Sequence, residues 1–96
     1  MTEYKPEDYI KYRLERARET IEEVQTHIKN KYWNTAINRM YYASFYAIGA
    51  LLAKHKIDVT RHSGVRQKFG EHFVKTGKFD NRLAKHFTEL FDKRQL

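Results

Sequence analysis

Ninety-six residues without a cysteine exclude disulfide-stapled and thiolate-metal folds and suffice for one modest core, since a chain of this size buries only about 60–70% of the surface it exposes unfolded. The net charge of +7 is uneven: residues 1 to 30 carry six Lys or Arg against seven Asp or Glu, and residues 54 to 96 carry eleven against five, so the positive field belongs to the second half, where it either attracts phosphates or only aids solubility. Charges throughout the first thirty residues argue against a signal peptide, and the longest uncharged run, Met40 to Ala53, falls short of the about 20 apolar residues a bilayer needs, so a soluble cytoplasmic protein without a membrane segment is expected.

One proline, four glycines and no sustained apolar–polar alternation predict an all-α domain. Pro6, followed by Glu7 and Asp8, suits a helix start, because proline fits the first turn and acids favour the positive end of the dipole. A first helix over about 7–30 then carries Ile10, Leu14, Ala17, Ile21, Val24 and Ile28 in alternating steps of four and three, one apolar stripe for the core. The second helix, about Trp33 to Lys56, shows two adjacent rows: Trp33, Ile37, Met40, Ser44, Ala47, Leu51, and beside them Tyr41, Phe45, Ile48, Leu52. So wide an apolar arc marks a central helix, and Ala36, Ala43, Ala47, Gly49, Ala50 and Ala53 allow neighbours to approach closely.

Ile57 to Arg61 connects to a third helix of roughly His62 to Thr76, which presents Val65, Phe69 and Phe73, with Gly77 placed as a left-handed C-terminal cap. Asp80 is a good N-cap for the fourth helix, in which Leu83, Phe87, Leu90 and Arg94 keep the core spacing and Phe91 lies alongside. No stop signal precedes Leu96, so this last helix reads as cut short. The four helices with short connections predict a single domain over residues 1–96, an up-and-down antiparallel four-helix bundle.

Arg94 occupies a position that Leu83, Phe87 and Leu90 assign to the core or an interface; a guanidinium there either forks onto phosphate or carboxylate, or reaches water from a helix end. Arg39 raises the same question, because Arg39, Tyr42, Tyr46 and Ala50 form a third face of the central helix: a phosphate or partner surface, or a structural knot in which Arg39 bonds a neighbouring helix end. His62, between Arg61 and Ser63 at a helix start, is a candidate anion contact. The histidines at 27, 55, 62, 72 and 86 lack paired zinc spacing, so neither a metal nor another cofactor is expected.

The run Ala36-Ile37-Asn38-Arg39-Met40-Tyr41-Tyr42-Ala43-Ser44-Phe45-Tyr46-Ala47, leading into Ala50-Leu51-Leu52, resembles the characteristic helix of the HEPN superfamily. Thr60, His62, Ser63, Gly64 and Val65, then Phe69, Phe73, Val74, Lys75, Thr76 and Gly77, and finally Leu90, Phe91 and Arg94 continue the likeness to its small prokaryotic members over about residues 33 to 96. The resemblance implies an antiparallel helical bundle, usually a homodimer, often encoded beside a minimal nucleotidyltransferase and engaged in toxin–antitoxin or other defence systems. Active members are metal-independent RNases that pair an Arg with a His about four to six residues further on, the guanidinium holding the phosphate and the imidazole moving protons. The similar position here is Arg94, and its histidine would lie beyond Leu96. Arg66 and His72 are no substitute, since six helical steps set them roughly 120° apart.

The resulting expectation is a dimeric binding module for nucleotide or RNA phosphates and a nucleotidyltransferase-type partner. Arg39, His62 and Arg94 are its anion contacts, and Tyr42 and Tyr46 its interface residues. The alternatives are an RNase toxin whose histidine lies beyond residue 96, and a purely structural helical docking partner.

Overall fold

The computed structural model describes residues 5–57 and 62–94, with the side chains of 62 and 63 outside that description. It is an all-α bundle: α1 spans Pro6–Lys29, α2 Trp33–Lys54, α3 His62–Phe69 and α4 Asn81–Lys93. Pro6 opens α1 in its first turn, with Glu7 and Asp8 against the positive end of the dipole. Asp80 caps α4 through its side chain, which accepts from the Arg82 backbone N–H at 2.8 Å.

Both long helices stop on a lysine. Lys31 and Lys56 sit in the left-handed region at φ 60° and 59°, and behind each the chain closes a wide turn, Tyr32 N–H to His27 O at 2.8 Å and Ile57 N–H to Leu52 O at 2.9 Å. These are glycine-type C-terminal caps built without glycine. The expected third helix differs too: its α-helical part ends at Phe69, and a π-helical turn, Gly70–Val74, follows. That wider turn keeps Phe69 and Phe73 stacked at 6.2 Å, both buried, before Gly77 at φ 80° turns the chain toward α4.

The core lies between α2, α3, the π-turn and α4. Tyr41, Leu52, Val65, Phe69, Phe73 and Phe87 are buried there, with Phe45, Ile48, Leu90 and Phe91 packed around them. Tyr41 and Phe87 stack almost parallel, at 5.5 Å and 6°. Each buried ring or aliphatic side chain contributes about 1.5–3 kcal/mol, so this cluster is the main source of stability.

The hairpin α1–α2 is a second seam of small side chains, with Ala17, Thr20 and Val24 buried on α1 and Ala36, Ala43 and Ala50 on α2. Here the apolar stripe of α1 divides. Ala17 and Val24 are covered, while Leu14, Ile21 and Ile28 are 50%, 52% and 44% exposed. Close approach onto alanines rotates α1 so that its bulkier residues face outward. Between α1 and α4 lies an open apolar groove of about 530 Å³, lined by Ile10 and Leu14, by Ala47 and Leu51, and by Leu83 and Leu90. Trp33, expected in the core row, is 56% exposed because it opens α2 at the hairpin turn. No helix among the described residues is long and apolar enough to cross a membrane.

Candidate phosphate-binding site

The start of α2 and the end of α4 meet because the two helices run antiparallel, with Tyr41 against Phe87 and Phe91. Asn38 ties the junction: its Nδ2 donates to the Arg94 carbonyl at 2.8 Å, satisfying one of the open carbonyls at the α4 terminus. Its Oδ1 accepts from Arg39 Nε and Nη2 at 3.2 and 3.0 Å. One amide therefore orients the Arg39 guanidinium and anchors the backbone that carries Arg94.

Arg94 is neither loose in solvent nor sunk in the core. Its Nη1 donates to Phe91 O at 2.6 Å, and its guanidinium carbon stands 4.0 Å from the Phe91 ring centroid and 5.3 Å from that of Tyr41. Arg66, from α3, stands 4.4 Å from the same Phe91 ring. Two guanidiniums thus share one aromatic ring, while Arg39 lies 5.0 Å over Tyr42 and Tyr42 packs edge-on against Tyr41 at 5.2 Å. The nearest carboxylates engage weakly. Arg39 is 3.9 Å from Glu23 and Arg66 is 3.9 Å from Asp92, well beyond the about 2.7–2.9 Å of a charge-assisted hydrogen bond. The side chains of Arg39 and Arg66 remain 27% and 35% exposed, so an incoming anion can reach them.

Tyr41 forms the buried floor. Burial pushes its phenol up to about 12, against the pull of the Arg94 and Arg66 charges, so it stays neutral near pH 7. The arrangement holds fixed cations on aromatic faces, which suits a phosphate and restricts water access from below. Among the described residues no group of acids and histidines could hold a metal ion.

The expected site residues divide. Asn38 links the Arg39 guanidinium to the backbone carbonyl of Arg94. Tyr42 and Tyr46 are half-buried supports beneath arginines, with Arg13 and Arg16 standing 5.3 and 5.4 Å over Tyr46. The side chain of His62 lies outside the described residues. Arg66, which the sequence brings up only as a rejected partner for His72, joins the site through packing: between Val65 and Gln67-Lys68 it resembles an ordinary solvated charge, and only the packing of α3 on α4 sets it on Phe91. His72 is exposed on the π-turn.

A family model described as the HEPN domain matches residues 10–96. A UPF0332 protein of Thermotoga maritima is 39% identical over 89 residues, covering 93% of this chain and 67% of the relative. A protein of Methanocaldococcus jannaschii named "putative toxin" is 32% identical over 82 residues, 85% of this chain and 56% of the relative. A UPF0332 protein of Pyrococcus horikoshii is 36% identical over 89 residues, 78% of this chain and 63% of the relative. The chain thus spans between about half and two thirds of the length of these relatives. No solved structure matches. The chain belongs to the HEPN domain family.

Proposed function

We propose that this HEPN domain binds the phosphates of a nucleotide or RNA at Arg39, Arg66 and Arg94, within a toxin–antitoxin or defence system whose partner is a nucleotidyltransferase. The observation that carries the reading is the pair of guanidiniums on Phe91, beside which Asn38 bonds both the Arg94 backbone carbonyl and the Arg39 guanidinium, with carboxylates no closer than 3.9 Å to Arg39 and Arg66. Guanidiniums that keep solvent exposure and face only distant carboxylates have forked donors to offer a phosphate. The "putative toxin" name of the Methanocaldococcus relative supports the setting. Homodimerisation accords with the exposed Leu14, Ile21 and Ile28 of α1, which a second subunit would cover.

The test is binding of labelled RNA and ATP at low salt to the parent and to Arg94→Ala, where phosphate contacts are strongest. Affinity at least about tenfold weaker in the variant supports the reading, being the loss expected for one charge-assisted hydrogen bond. Negligible binding by the parent leaves a structural docking role. RNA cleavage in EDTA that disappears in Arg94→Ala replaces binding with catalysis.

A further inference from the structure

The cationic row does not end at Arg39. Along the seam between α1 and α2, Tyr42 packs against Tyr46 at 6.3 Å, and the Tyr46 ring has the guanidiniums of Arg16 and Arg13 at 5.4 and 5.3 Å. Arg16 is engaged by Glu19 at 3.0 Å and by a hydrogen bond to the Tyr46 side chain. Arg13 is different. Its guanidinium stands in a cup of three rings, 5.4 Å from Tyr9, 5.1 Å from Phe45 and 5.3 Å from Tyr46. Its Nε is buried and has no hydrogen-bond partner among the described residues.

Gly49 makes that cup possible. A Cβ added at Gly49 would lie 2.7 Å from Arg13 Nη2 and 3.2 Å from its Nε, so any side chain there displaces the guanidinium. A helix-interior glycine is unfavourable in itself, and here it admits a cation with an unsatisfied donor. From Asn38 to Gly49 the row covers roughly 16 Å at 1.5 Å per residue, longer than one nucleotide's phosphates can bridge. Guanidiniums set beside aromatic rings are the side-chain types by which single-stranded nucleic acids are held, the cations on the backbone and the rings near the bases.

We propose that Arg13 and Arg16 form a second anion subsite, continuous with the first, and that the ligand is a single-stranded nucleic acid rather than a mononucleotide. This rests on the phosphate-binding reading of Arg39, Arg66 and Arg94 and extends it by about three helical turns along α2.

The experiment is fluorescence anisotropy at low salt with ATP, a uridine dinucleotide and a single-stranded oligouridylate of about ten nucleotides, within the usual range of single-strand sites. The proteins are the parent, Arg13→Gln, Arg16→Gln, Gly49→Ala and Arg94→Ala, each checked for fold by circular dichroism. The expected result is that Arg13→Gln and Gly49→Ala weaken the long oligomer about tenfold and lower its salt slope by about one, while leaving ATP and the dinucleotide unchanged. Should Arg13→Gln fail to fold, Arg16→Gln decides, with the same selective loss expected. Parent-like binding of the long oligomer by the folded subsite variants overturns the proposal, as does an equal loss for ATP. Equal, Arg13-dependent binding of polyglutamate overturns the nucleic-acid assignment in favour of an acidic protein surface. If Arg94→Ala changes nothing the first reading fails, whereas loss in Arg94→Ala without loss in the subsite variants sinks this proposal alone.

Discussion

Tyr41 is the residue on which packing and charge meet. It stacks on Phe87, supports Phe91, and lies under the guanidinium of Arg94, so its phenol is buried by the same contacts that build the site. Because its folded value is about 12 against the usual 10, the folded state keeps a proton that the unfolded chain has released. Its contribution is therefore complete below about pH 10 and is lost as pH rises toward 12, on the order of 2 kcal/mol across that window. Chemical denaturation of the parent and of Tyr41→Phe should show this alkaline loss in the parent and a shallower one in the variant. Parallel curves would mean that the phenol ionises freely. Asn38→Ala should weaken RNA binding through two arginines at once, though Asn38 itself has no charge; binding equal to the parent would remove its bridging role. Of these residues, Arg39 and Arg94 stood out in the sequence because they interrupt apolar rows. Arg66 and Arg13 did not, since each sits among other charges and gains its meaning from a ring or a glycine on another helix.

At the scale of the elements, helix starts were easier to read than helix ends. Pro6 and Asp80 have side chains that favour a start for stated reasons, and both helices begin where those residues predict. Lys31 and Lys56 carry no such signal, yet each holds the left-handed conformation that usually calls for glycine. Replacing either with glycine should therefore stabilise the fold by about 1 kcal/mol, measured as a higher thermal midpoint, with no change in binding. Gly77→Ala should do the reverse by a similar amount, since φ there is 80°. The stripe of α1 was legible as a stripe, but its buried half was not. Periodicity alone does not reveal that the alanines of α2 draw Ala17 and Val24 inward and leave Leu14, Ile21 and Ile28 outside. The π-turn was hidden for a related reason, because Val65, Phe69 and Phe73 fit an uninterrupted α-helix in spacing while Lys75 N–H bonds back to Gly70.

Across the whole molecule, two features organise the bundle around α2. One side of it opens into the apolar groove between α1 and α4; the other carries the arginine and tyrosine row above the aromatic core. The core sets the stability of both. Leu52→Ala, 1% exposed in the parent, should cost about 2–5 kcal/mol and lower the denaturation midpoint, and a cost below about 1 kcal/mol would contradict this placement of the core. The charge asymmetry read from the sequence becomes a local array once the fold brings the first helix alongside the second and the fourth. Charge that looked evenly balanced in residues 1 to 30 then contributes Arg13 and Arg16 to the same face as Arg39.

The most direct test of the central claim is an NMR titration that follows the arginine side-chain N–H signals as single-stranded RNA is added at low salt. Selective, saturable shifts at Arg39, Arg66 and Arg94, abolished by raising the salt, are the predicted result. Signals at those three residues that stay still while RNA binds elsewhere, or that move no more than those of exposed Arg18 and Arg82, would contradict it.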